Sequence, residues 1–139
     1  MYKIVKSETT QIGRFNVILD SIEKNGETYP YSYIEFKNGV CALCFVDSKH
    51  LLLLKEYRHA IRQWVYGFPS GMIEDGEDYR HTVKREIQEE TGYQVEELCD
   101  LGCCYPSYGS TTEKIYLYTA KVKPFTTPSK DALELAEVE

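Results

Sequence analysis

The stretch "GMIEDGEDYRHTVKREIQEETGY", Gly71–Tyr93, carries seven carboxylates, and three of them, Glu86, Glu89 and Glu90, fall within about a turn and a half of one helix. That helix is legible over Asp78 to Thr91. Tyr79, Val83 and Ile87 recur every four residues, and Gly92 stands where a left-handed C-cap is needed. With those three on the core side, Glu86 and Glu90 share an adjacent stripe and Glu89 sits beside them. Like charges at that spacing cost a bare helix roughly 0.2–0.5 kcal/mol per pair. Something must offset them: either solvent, with Lys84 and Arg85 neutralising part of the face, or a divalent cation, for which hard oxygen ligands on one rigid face are suited.

The segments around the helix read mostly as strands. Arg14 to Leu19 puts Phe15, Val17 and Leu19 on one face, with Ile18 breaking the alternation. Thr28 to Phe36 groups Tyr29, Tyr31 and Tyr33. Asn25-Gly26 between them predicts a β-hairpin, and Pro30 puts its second strand at an edge. Val40–Val46 and Leu51–Tyr57 are apolar runs expected as central strands. Arg58 to Val65 reads as a loop, since Pro69 and Gly71 interrupt regular structure just beyond it. Gln94–Tyr105 and Lys114–Val122 predict two more strands, separated by the turn at Pro106-Ser107-Tyr108-Gly109. The tail from Lys123 is polar and without a clear period.

A chain of 139 residues has room for one domain, and 42% hydrophobic with 27% charged residues is ordinary for a globular protein. No apolar run is long enough to cross a bilayer and no signal-like segment opens the chain, so a cytoplasmic location without membrane contact is expected. The net charge of −6 argues against a nucleic-acid partner. Five cysteines, an odd number, fit reduced thiols, and Cys41-Ala-Leu-Cys44 lies inside an apolar run that favours burial over metal binding.

Spacing decides what the acidic helix is for. Gly71, Glu77, Arg85, Glu86, Ile87, Glu89, Glu90 and Gly92 match in identity and register the Nudix box, G-x5-E-x7-R-E-U-x-E-E-x-G-U, where U is a bulky apolar residue. Tyr93 fills the last U, an aromatic where an aliphatic is usual. The resemblance implies an α+β fold, an α/β/α sandwich with a mixed central sheet and an N-terminal antiparallel hairpin, spanning 1–139 as one domain. It implies metal-dependent cleavage of a nucleoside diphosphate joined to another group. Glu86 and Glu90 are then the primary ligands of Mg²⁺, with Mn²⁺ as a substitute. Glu89 is an additional or water-mediated ligand, and the Ser70 main-chain carbonyl a further one. Gly71, Glu77, Arg85 and Gly92 become structural supports.

Outside the box the chain resembles the ADP-ribose pyrophosphatase branch. Glu56-Tyr57-Arg58, Trp64, Phe68-Pro69-Ser70-Gly71, Pro106-Ser107-Tyr108-Gly109 and Thr112-Glu113-Lys114 carry that likeness. The implied substrate is ADP-ribose or a related nucleoside diphosphate sugar, met by Arg58, Tyr108 and Glu113, with Arg58 on the diphosphate. Gly67 and Tyr108 depart from the branch pattern, and Tyr108 motivates a dinucleoside polyphosphate as the alternative substrate. A catalytically silent nucleotide sensor is a third reading. Near the end, Glu134 is placed as the counterpart of a catalytic loop glutamate, with Glu137 as its alternative and a plain acidic tail as the competing view. By the same likeness the chain stops at the opening of its last strand, so its C-terminal elements are expected to be incomplete. The branch is commonly dimeric, and the Tyr29, Tyr31, Tyr33 face adds a motive for a homodimer.

Overall fold

The computed structural model describes residues 2–129 and the backbone of 136–138. Contacts group the chain into two compact units, one made of 1–38 with 105–114, the other of 39–104 with 115–139.

In the first unit, β1 (Lys3–Ile12), β2 (Phe15–Lys24) and β3 (Glu27–Glu35) form an antiparallel sheet in that order. The expected hairpin is β2–β3. Its turn places Asn25 at φ 55° and Gly26 at φ 80°, the left-handed pair that lets a two-residue turn follow the twist of its strands. β1 was not anticipated: every one of its residues is exposed, so no buried face marks it in the sequence. The inner face of β2 also differs from the expectation. Ile18 and Asp20 are buried while Leu19 is exposed, because Ile18 and Asp20 stand opposite Tyr33 and Tyr31 in the register of β3. The segment 105–114 docks on β3, with Ile34 N–H donating to Ser110 O at 2.9 Å and the Tyr31 hydroxyl donating to Gly109 O at 2.9 Å.

The second unit is built on a mixed sheet. β4 (Gly39–Phe45) runs parallel to β10 (Ile115–Pro124), which pairs antiparallel with β9 (Tyr93–Cys104). The other edge of β4 takes β8 (Ser70–Met72) at one end and β5 (Leu51–Leu52) at the other. One helix, α1 (Tyr79–Thr91), is present among the described residues and packs on β4, β8 and β9. Val40, Ala42 and Cys44 alternate inward along β4 beside Tyr116, Tyr118 and Ala120 of β10. Val83 and Ile87 meet this face fully buried. Tyr79, expected inside with them, is half exposed and stacks on Tyr116 at 4.2 Å between ring centroids. It sits in the first turn, where the helix has not yet closed over the sheet. Cys41 and Cys44, three apart on a strand, project to opposite faces, and burial pushes the Cys44 thiol up to about 12. The CxxC spacing is therefore packing rather than a metal or redox pair.

The run Leu51–Tyr57 is two strands. The chain breaks at Leu53 and leaves the mixed sheet, and β6 (Leu54–Arg58) joins a separate antiparallel sheet, ordered β11 (Ala136–Val138), β6, β7 (Gln63–Gly67). β7 corrects the loop reading of Arg58 to Val65. Tyr57 stands opposite Trp64, rings 5.8 Å apart, so aromatic cross-strand packing carries a hairpin strand into a segment that Pro69 and Gly71 had marked as a loop. β11 likewise gives the polar tail a strand.

Gly92 closes α1 with φ 75°, its N–H donating to Gln88 O at 2.9 Å, and its carbonyl accepts from Thr126 N–H at 2.8 Å. A Cβ there would lie 2.3 Å from Thr126 O, whereas one at Gly26, with similar φ, would meet nothing within 4 Å. Gly26→Ala should therefore cost about 1–2 kcal/mol of left-handed strain alone. Gly92→Ala should cost clearly more, since the backbone at Thr126 must also move. Urea midpoints of the two variants make the comparison, and equal shifts would remove the close approach from the account.

Candidate active site

Asp78 starts α1 as its N-cap, its side chain accepting from His81 N–H at 3.2 Å and so satisfying a free donor of the first turn. From there Arg85 gathers the acidic face. Its Nε donates to Glu77 Oε1 at 2.8 Å and its Nη2 to Glu77 Oε2 at 3.1 Å, a two-pronged pair. The remaining nitrogen, Nη1, lies 2.8 Å from Glu86 Oε1 and 2.9 Å from Glu89 Oε2. One guanidinium thus touches three of the four box glutamates.

Glu77 also ties down the loop before the helix. Its Oε2 accepts from Glu74 N–H at 3.3 Å, and its own N–H donates to Glu74 O at 3.0 Å. The Arg85 fork holds the Glu77 carboxyl well below the usual carboxylate range, and the same pairing raises Arg85. These contacts join Glu77 and Arg85 to each other and to the loop before the helix.

Glu86 and Glu90 turn towards β8. Glu90 Oε2 accepts from Ser70 N–H at 2.9 Å. The Glu86 carboxylate lies so close over Gly71 that a Cβ built there would be 2.1 Å from its Cδ. Gly71 matters through space and not through conformation: a side chain there would push the Glu86 carboxylate off the strand backbone. Two carboxylates side by side over a main-chain ledge are an all-oxygen donor set, and it suits a hard divalent cation. Among the described residues, no three acidic, histidine or cysteine side chains converge as one cluster; Glu86 and Glu89 both meet Arg85 Nη1.

The other expected residues are placed as follows. Arg58 ends β6, more than half exposed, with its Nη2 2.7 Å from Glu56 Oε2. In the first unit, Tyr108 stands 85% exposed on its turn and Glu113 is partly buried. Glu134 lies outside the described residues. Of Glu137, only the backbone is described, paired with Lys55 in β11. Glu56 was quoted in the sequence but given no role. The signal was its strand spacing, since residues 56 and 58 share one face of β6.

A family model described as the NUDIX domain matches residues 35–139. The chain belongs to the Nudix family. A methanol dehydrogenase activator of Bacillus methanolicus is 31% identical over 121 residues, 86% of this Nudix chain and 65% of that protein. An ADP-ribose pyrophosphatase of Bacillus subtilis is 27% identical over 97 residues, 70% and 52% of the two chains. A GDP-mannose pyrophosphatase of Cronobacter sakazakii is 28% identical over 116 residues, covering 76% and 60%. This chain thus spans about half to two thirds of the length of the curated relatives it matches. Among solved structures, an ADP compounds hydrolase superposes with a TM-score of 0.85 over 99% of this chain and 77% of its own, at 24% identity. That likeness bears out the α+β Nudix fold with its mixed sheet. The relatives also match the expected likeness to the ADP-ribose pyrophosphatase branch.

The Glu77–Arg85 pair gives a pH prediction with a definite sign. Because the folded-state pKa of Glu77 is depressed, its contribution is present above the unfolded carboxylate value of about 4.3 and is lost as pH falls through the folded value. The stability difference between the wild-type chain and Glu77→Gln should be flat from pH 5 to 8 and shrink as the medium becomes strongly acid. Denaturant titrations at stepped pH measure it. A difference that stays constant down to pH 2 would mean that the pair does not hold the loop.

Proposed function

We propose that this chain hydrolyses the diphosphate linkage of ADP-ribose, or of a related nucleoside diphosphate sugar, using Mg²⁺, with Mn²⁺ as a substitute. The observation that carries the reading is the pair Glu86 and Glu90 laid over the Ser70–Gly71 backbone, with Glu86 occupying space that only a glycine leaves. The names of relatives that cleave ADP-ribose, ADP-sugar and GDP-mannose pyrophosphate bonds support the substrate class.

In this reading Glu86 and Glu90 hold the cation, joined by the Ser70 main-chain carbonyl and, directly or through water, by Glu89. When bound, the cation neutralises the diphosphate and lowers the pKa of a coordinated water. Arg85 keeps Glu86 and Glu89 from repelling each other and fixes their rotamers. Arg58 donates to the diphosphate oxygens, where a guanidinium fork suits the geometry. A carboxylate takes the proton of the attacking water as the phosphorus–oxygen bond breaks; Glu134 is the candidate base, with Glu137 as the alternative. Tyr108 and Glu113 meet the nucleoside or sugar. Water enters, and AMP and ribose 5-phosphate leave.

The exposed Tyr108 ring favours one second reading, a dinucleoside polyphosphate whose extra base stacks on it. The cytoplasm is the compartment this chemistry fits. With ADP-ribose, GDP-mannose and a dinucleoside tetraphosphate as a panel, turnover should require Mg²⁺ or Mn²⁺ and be fastest on ADP-ribose. Glu86→Gln and Glu90→Gln should each lower kcat/KM by about 100-fold or more while leaving circular dichroism unchanged. Tight nucleotide binding with no turnover by the wild-type chain would replace the enzyme by a sensor.

The same reading makes the protein a homodimer. Tyr29 and Tyr31 leave 49% and 44% of their surfaces exposed on adjacent positions of one face of β3, and aromatic residues favour interface cores. Sedimentation equilibrium at micromolar concentration should return twice the 16.1 kDa chain mass. A single species at the chain mass would rule the dimer out.

A further inference from the structure

We infer that Glu56 is the positioning residue that aims Arg58, and that Gly67 leaves the room its carboxylate needs; the inference rests on the reading of Arg58 as the diphosphate contact. Glu56 and Arg58 alternate onto the same face of β6, and Glu56 Oε2 lies 2.7 Å from Arg58 Nη2. The two ends of the pair differ in exposure: the Glu56 side chain is 15% exposed and that of Arg58 55%. A carboxylate that far from water needs a charged partner or donor, because an unpaired buried charge is costly. The guanidinium supplies it while keeping its outer part in solvent.

The backbone under Glu56 is held from both sides. It lies opposite Val65 of β7 and opposite Ala136 of β11, so β6 is the middle strand of its sheet. Arg58 stands farther along, paired with Gln63 beside the turn of the hairpin and beyond the residues of β6 that β11 covers. The fixed member of the pair is therefore Glu56, and the adjustable one is Arg58. On β7, Gly67 is the next residue on the same face as Val65, and a Cβ built there would come 3.3 Å from Glu56 Oε2. A side chain at 67 would press on the carboxylate and shift it by a few tenths of an ångström. Contact through Nη2 engages part of a guanidinium that carries five N–H donors, leaving it further donors for phosphate oxygens.

The test uses Glu56→Gln, Arg58→Ala, their double variant, and Gly67→Ala, whose Cβ presses on the Glu56 carboxylate. With Mg²⁺ and ADP-ribose, Glu56→Gln should raise KM by about 5-fold with kcat within about 2-fold. It should add nothing in the Arg58→Ala background, and Gly67→Ala should raise KM in the same direction by a smaller factor. Equal losses in both backgrounds, or an unchanged KM, would overturn the inference. A second readout does not depend on turnover: the ¹⁵N signals of the Arg58 guanidinium, assigned by their loss in Arg58→Ala, should report hindered Nη rotation in the wild-type chain and free rotation in Glu56→Gln. Inorganic pyrophosphate should shift the Arg58 Nε signal in the wild-type chain more than in Glu56→Gln. If ADP-ribose is not hydrolysed at all, the functional reading fails, while the guanidinium signals still decide whether Glu56 aims Arg58; identical signals in both proteins would sink it.

Discussion

The Arg85 guanidinium is the contact on which the acidic helix depends. Four glutamates within reach of one helix would repel one another and loosen its last turns. Arg85 answers three of them, and it divides its donors unequally: the fork goes to Glu77 and a single nitrogen goes to Glu86 and Glu89. The two-pronged pair anchors Arg85 to the incoming loop, so the remaining nitrogen is delivered at a fixed place on the helix face. A lysine would supply the charge without the fork, and the loop and the glutamates would then no longer be registered against each other.

That registration matters because the other partner of the glutamates is backbone. β8 is three residues long and pairs with β4 at Gly39–Cys41, so its position is dictated by the mixed sheet. The helix is pressed on the same sheet by Val83 and Ile87 over Ala42 and Cys44, residues small enough to let it approach closely. Glu86 and Glu90 are then pushed against Ser70 and Gly71, with no clearance for a side chain at 71. The small residues of β4, the missing Cβ of Gly71 and the donor fork of Arg85 are three parts of one fit.

How much of this could be read beforehand follows from which forces leave a period in sequence. The helix, its glycine stop and the placement of Glu86 and Glu90 on one stripe were legible, because burial of Val83 and Ile87 repeats at helical spacing. The β2–β3 turn was legible because Asn25-Gly26 adopts a backbone few other residues tolerate. β1 was not, since a strand exposed along its whole length has no alternation to display. The inner face of β2 was misread because Leu19 looked like a core residue and Asp20 did not; pairing to β3, a long-range fact, chose the other face. Arg85 was expected to neutralise charge and, from the family likeness, to pair with Glu77 and fix the glutamates, but its link to Glu89 and the way it divides its donors required coordinates.

The strand break at Leu53 shows the same limit at the level of topology. Leu51 to Leu54 reads as one buried run, and each of Leu52 and Leu54 is indeed buried, yet they serve different sheets. Hydrophobicity records that a residue is covered and not by what. Leaving the mixed sheet at Leu53 is what frees β6 to form a hairpin with β7 and to accept β11 on its other side. That hairpin carries Arg58 outward on a paired strand instead of a loose loop. An arginine on a loop would lose more side-chain and backbone freedom on meeting an anion than one already extended from a sheet with a carboxylate beside it. The order imposed by the sheet thus lowers the entropic cost of fixing Arg58 against an anion.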